Sequence, residues 1–98
     1  MARQVFIERL RKDPIERLDY TFPWGGFLAP IDDHIVDAEM LIEGDPQLQV
    51  WLSQFSEFDA TVGISGGTLG AKPAVSCVIT TSAGRVFKRS IQVAIIKR

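Results

Sequence analysis

Apolar and polar residues alternate along most of this chain, and the alternation is clearest between Ala60 and Ile96. In ATVGIS, Ala60, Val62 and Ile64 share one face while Thr61, Gly63 and Ser65 share the other, which is the period of a half-buried strand. Val75, Cys77 and Ile79 fall opposite Ala74, Ser76 and Thr80; Phe87, Ile91, Val93 and Ile95 fall opposite Val86, Lys88, Ser90 and Gln92. The connections fit this pattern. Gly66, Gly67 and Gly70 supply the positive dihedrals of a chain reversal, and Ser82-Ala83-Gly84 suits a three-residue hairpin loop with Gly84 in the left-handed position. The stretch is expected to form a three-stranded meander.

The first half of the chain is less regular. Residues 1–12 precede the boundary Asp13-Pro14 and form a basic, partly apolar arm. Phe6, Ile7 and Leu10 fit one helical turn, Val5 and Ile7 fit a strand, and so short a stretch satisfies either period. Leu18, Tyr20 and Phe22 alternate with Arg17, Asp19 and Thr21, and Pro23 stops that strand. Trp24 and Phe27 around Gly25-Gly26 read as a corner covering one end of a core, with a ligand-stacking patch as the alternative. Val36, Ala38, Met40 and Ile42 alternate with Asp37, Glu39, Leu41 and Glu43 up to Gly44-Asp45-Pro46. Good helix formers in that stretch favour a helix, but its strict alternation and short length favour a strand. Leu48, Val50 and Leu52 alternate with Gln47, Gln49 and Trp51, and Gln54 to Asp59 reads as an irregular link or a short edge strand. Six or seven short strands with turns between them predict an all-β fold, an immunoglobulin-like antiparallel β-sandwich spanning residues 13–98 behind a short N-terminal docking arm, residues 1–12.

Composition narrows the function classes. With 98 residues, 46% hydrophobic and 23% charged, the chain makes one modest core. No apolar run has the length of about 20 residues that spans a bilayer. The N-terminus MARQVFIERLRK lacks the apolar core of a secretory signal, and the single cysteine, Cys77, permits no internal disulfide. Both features lead to the expectation of synthesis in a reducing cytoplasm. A net charge of −1 argues against nucleic acid as a partner, and no membrane partner is expected. The charge is nonetheless polarised: residues 31–59 carry eight acids and no Lys or Arg, while residues 60–98 carry six bases and no acid. Either the two segments neutralise each other within one subunit, or they lie on opposite flanks and meet between neighbouring copies.

Candidate chemistry is sparse. One His and one Cys cannot supply a structural zinc site, and GGTLGAKPA lacks the spacing and strand–helix context of a phosphate loop. Ile31-Asp32-Asp33-His34 suggests a metal, but adjacent residues of an extended segment point to alternate sides, so a solvated polar turn is expected. Cys77 lies mid-strand, where a cysteine acts as a small buried hydrophobe. No catalytic, cofactor-binding or metal-ligating residue is assigned, no cofactor is expected, and the chain is not expected to be an enzyme.

Several motifs in order resemble those of phage fibre-tail adaptor proteins, small immunoglobulin-like virion components. They are Asp13-Pro14 with LDYTFPWGGFL (18–28), Asp33-x-Ile35-Val36-x-Ala38, ATVGISGGTLG (60–70) and ITTSAGRVFKRSI (79–91). Pro73 and Met40 stand where family members often carry an aromatic residue and a tryptophan. The resemblance implies a structural part of a tailed phage virion, made in the host cytoplasm: a homo-oligomeric ring that connects the tail tube or portal assembly to tail fibre proteins. Under that expectation Arg3, Phe6, Ile7, Arg9, Leu10, Trp24 and Phe27 form the protein interface, and Gly66, Gly67, Gly70 and Gly84 are structural turns. The alternatives are another tail-completion or neck protein that joins head to tail, and an immunoglobulin-like carbohydrate-binding or adhesion module using Trp24, Phe27 and Trp51.

Overall fold

A computed structural model describes residues 5–98 as seven strands and one short helix. In chain order these are β1 (Phe6–Lys12), β2 (Arg17–Pro23), α1 (Gly25–Leu28), β3 (Ile35–Glu43), β4 (Leu48–Phe55), β5 (Asp59–Gly66), β6 (Ala74–Thr81) and β7 (Val86–Ile95). Two sheets pack face to face, one in the order β1-β7-β6-β3 and one in the order β2-β5-β4. The fold is an all-β sandwich. Its core is drawn from the alternating positions of both sheets: Phe22, Val62 and Ile64 on one side, Val75, Cys77, Ile79, Ile91, Val93 and Ile95 on the other, all buried. Of the expected three-stranded meander only the hairpin of β6 and β7 forms, with Ile79 opposite Phe87 and Val75 opposite Ile91. β5 does not pair with β6, because the glycine turn carries the chain across to the other sheet, where β5 lies between β2 and β4.

One pairing departs from the antiparallel rule. The segment expected as an arm lies, from Phe6 to Lys12, beside β7 and parallel to it. Its C-terminal half is tied to the body: Leu10 packs against the core and Lys12 is fully buried. The Lys12 ammonium donates to the carbonyls of Gly66 and Asp13, and the Ile96 N–H donates to the Lys12 carbonyl. Burial lowers the pKa of that ammonium, against the opposing pull of Glu16 and Asp13. Alternation could not announce this strand, because its inward positions hold a leucine and a lysine rather than two hydrophobes.

All four sheet edges are interrupted. β1, β3 and β4 each carry a register shift in which one residue has no partner, and those residues are Ile7, Val36 and Trp51. Each is turned outward and is 43 to 49% exposed. β2, the fourth edge, ends on Pro23, which has no N–H to offer. Bulges and edge prolines blunt uncontrolled strand pairing. The bulges also correct two expected faces. Ile35, not Val36, points inward at the start of β3, and the alternation expected through Leu52 breaks after Val50, because Trp51 is the extra residue and Leu52 stands opposite outward-facing Gly63. Glycine at that point is required by Trp51. The indole lies across β5 and donates to the Ile64 carbonyl at 3.2 Å, and a Cβ on residue 63 would sit 2.5 Å from Trp51 Cε2.

Two buried carboxylates close the ends of the sandwich. Asp33, expected in a solvated turn, is instead 3% exposed. It accepts from the His34 N–H (2.9 Å), the Ser82 hydroxyl (2.8 Å), the Ala83 N–H (3.2 Å) and the Arg85 guanidinium (2.9 Å), which joins the entry to β3 to the β6–β7 hairpin. At the other end Asp45 accepts from the Thr68 N–H and hydroxyl and from the Gln47 N–H, which joins the β3–β4 corner to the glycine turn. In that turn Gly66 has φ 75°, and a side chain there would meet the Gln47 carbonyl at 2.6 Å. Gly67, Gly70 and Gly84 also have positive φ.

Burial on its own would raise the Asp33 carboxyl, but hydrogen bonds from Thr81, Ser82, Arg85 and the His34 N–H outweigh it and hold the group well below the usual carboxylate range. Between that lowered value and about 3.9, the ordinary aspartate value, the unfolded chain binds a proton that the folded chain does not, so the stabilisation is complete above about pH 5 and is lost as pH falls. Asp33→Asn should therefore lower the melting temperature at neutral pH, and the gap from wild type should narrow below about pH 4. Melting curves across pH check this; a gap independent of pH would contradict it. Gly63→Ala should cost about 1–3 kcal/mol in urea unfolding and shift the Trp51 emission, since the new methyl displaces the indole.

Candidate interaction surface

The β1 end of the four-stranded sheet gathers most of the expected interface residues. Phe6 stands opposite Ser90 on the outer face of that sheet, and the Arg9 guanidinium lies 5.8 Å from its ring centroid. Ile7, pushed out by the bulge, lines a shallow groove of about 330 Å³ with Val5, Lys88, Arg89 and Ser90. Arg89 links this groove to the tryptophan corner. Its guanidinium sits 4.3 Å from the Trp24 ring centroid and 5.3 Å from that of Phe27, and it donates to the Pro23 carbonyl at 2.8 Å. Phe27 meets Phe87 edge to face at 4.7 Å. Stacking over an aromatic face orients the guanidinium and lets it keep its charge near the surface.

The expected residues divide into two groups. Ile7, Arg9 and Phe27 are exposed and Phe6 is half-buried, so these four can touch a partner. Leu10 packs against the core, and Trp24 is 1% exposed, under Arg89, with its backbone N–H donating to the Phe58 carbonyl. Arg3 lies outside the described residues. Sequence reasoning missed Lys88 and Arg89, which looked like ordinary strand charges. The signal that could have found Arg89 is its place on the inward-facing register of β7, between Phe87 and Ile91, where a charge needs a local partner. Trp51 does not join this cluster: it lies on Gly63 in the three-stranded sheet, with Arg17 at 5.1 Å from its ring. The three aromatic residues of a glycan-binding surface therefore form no common platform.

Among the described residues no carboxylate, thiol or imidazole lines the groove. Among the described residues no three His, Cys, Asp or Glu side chains gather as a metal site. Cys77 is fully buried, and burial pushes its thiol up to about 11, with the Trp24 indole N–H pulling partly the other way. That buried indole N–H meets no hydrogen-bond geometry with any acceptor among the described residues.

A family model described as podophage GP4 fiber-tail adaptor protein gp77 matches residues 12–94. The chain belongs to this family. It is thus a structural component of a phage tail, of a kind that associates with tail and fibre proteins. Comparison with curated proteins found no match. Two of the motifs that carry the resemblance are turns held by polar clamps: SGGTLG is the loop held by Asp45 and Lys12, and TTSAGR is the hairpin held by Asp33. In this adaptor Cys77 should react with a thiol reagent at pH 8 only through unfolding, because about one thiol in a thousand is ionised and none is accessible. Labelling whose rate tracks urea unfolding is the expected result; rapid labelling of the folded protein would contradict it.

Proposed function

We propose that copies of this chain form a ring on the phage tail, bridging the tail tube or portal assembly to the fibres, with an immunoglobulin-type sandwich as the repeating body. The strand order supports the fold part of this reading. β2-β5-β4 and β7-β6-β3 follow the B-E-D and G-F-C orders of that class, with the first strand moved beside the last. The observation that carries the functional part is the β1 groove. It sets apolar Val5 and Ile7 beside two cations, Lys88 and Arg89, whereas Lys12, Asp33, Asp45 and Arg85 are tied into internal clamps. Apolar anchors ringed by charge are how docking surfaces obtain affinity and orientation. Catalysis has no part in this reading.

Ile7→Glu tests it, because Ile7 is exposed and makes no core contact. The melting temperature should stay within a few degrees of wild type. Incorporation into particles, measured by complementing a phage that lacks this protein, should fall by about tenfold or more. Full incorporation of the variant would remove the groove from the account.

A further inference from the structure

Two rows that cross the outer face of the four-stranded sheet have complementary ends. β1 runs parallel to β7, β7 antiparallel to β6, and β6 antiparallel to β3, so β1 and β3, the two edges, run in the same direction. Residues directly opposite in adjacent strands share a face. One outer row therefore reads Leu41, Ser76, Ser90, Phe6, and the next reads Glu43, Ala74, Gln92, Arg9. The middle of the first row is low, because Ser76 and Ser90 are small, buried and bonded to each other at 2.7 Å. The rims are tall and opposite in charge: Asp37, Glu39 and Glu43 on β3, Arg9 and Arg11 on β1, all exposed. Among the described residues none of these five side chains is in an ion pair.

We propose that a second copy of this chain docks sideways on this sheet, the β3 edge of one copy against the β1 edge of the next, with Arg9 facing Glu43 and Phe6 facing Leu41. The proposal rests on the ring part of the function proposed above and names the surface that would close it. The occupant is a second copy because both halves of the match belong to this chain, lie in the same two rows and point to the same side. A lateral neighbour in the same orientation brings them together without a change of register. The contact is heterologous, with different surfaces on its two sides, and repeated contacts of that kind generate rings. Side chains carry it rather than a continuous hydrogen-bonded ladder. Ile7 and Val36 bulge at the two edges, the Arg9 N–H is already taken by the Glu8 carboxylate at 3.2 Å, and the Arg98 guanidinium covers the Arg11 carbonyl.

Sedimentation velocity on the full chain tests this at low and high salt. The wild type should self-associate at low salt and less so at high salt, as rim charges require. Arg9→Glu and Glu43→Arg, each alone, should weaken association by about tenfold or more with unchanged melting curves. An equimolar mixture of the two variants, or the double variant, should restore it, since each reversed edge then finds an opposite partner. A wild type that stays monomeric, single variants that associate normally, or a mixture that fails to recover would each overturn the contact. Particle incorporation is scored separately. Incorporation without self-association through these residues sinks the edge contact alone, whereas absence from the tail despite self-association sinks the tail role alone.

Discussion

The buried Asp33 carboxylate is the constraint on which one whole end of the molecule depends. A sandwich of 98 residues with a single cysteine has no covalent tie, so its loops must be held by packing and hydrogen bonds. Removing a carboxylate from water is costly unless its lone pairs are filled. Asp33 fills them with the N–H of the next residue, His34, and with an N–H, a hydroxyl and a guanidinium from the neighbouring β6–β7 hairpin. The hairpin at Ser82 to Arg85 is consequently fixed against the start of β3, and β7 leaves it with Phe87, Lys88 and Arg89 in set positions. The stacking of Arg89 on Trp24 and the groove beside Ile7 both follow from that placement.

The strands themselves were largely legible in the sequence, but of the expected three-stranded meander only the β6–β7 hairpin forms, since β5 belongs to the other sheet. β5, β6 and β7 could be read because they are the central strands or lie next to them, where a buried face imposes alternation on every residue. β1, β3 and β4 are edges, free to carry an extra residue, and an extra residue inverts every assignment beyond it. The same freedom hid the parallel pairing of β1. Asp33 and Asp45 were illegible for another reason. Nothing in the local sequence separates a buried, fully bonded aspartate from a surface one, because their partners are distant along the chain, at Ser82 to Arg85 and at Thr68.

For the site, the sequence showed the residue types but not which way they faced. Trp24 and Phe27 are three residues apart, yet one is buried beneath a guanidinium and the other meets solvent. The polarity of charge was visible as composition, and only the strand order shows how it is laid out. β1 and β3, distant in sequence, become the opposite edges of one sheet, with Arg9 and Arg11 on one and Asp37, Glu39 and Glu43 on the other, while Asp33 of the acidic segment pairs with Arg85 of the basic one inside the subunit. The two polar clamps fix loops at the ends of the sandwich, and the buried thiol fills core space. The exposed charges Arg9, Arg11, Asp37, Glu39 and Glu43 lie on the two edge strands of the four-stranded sheet.

A reconstruction of the intact phage particle by electron microscopy tests the central claim most directly. The account predicts repeated copies of this two-sheet sandwich in the tail, arranged around the tail axis, in contact with fibre density. Finding the protein only in the capsid, or as an isolated copy with no like neighbour, would contradict it.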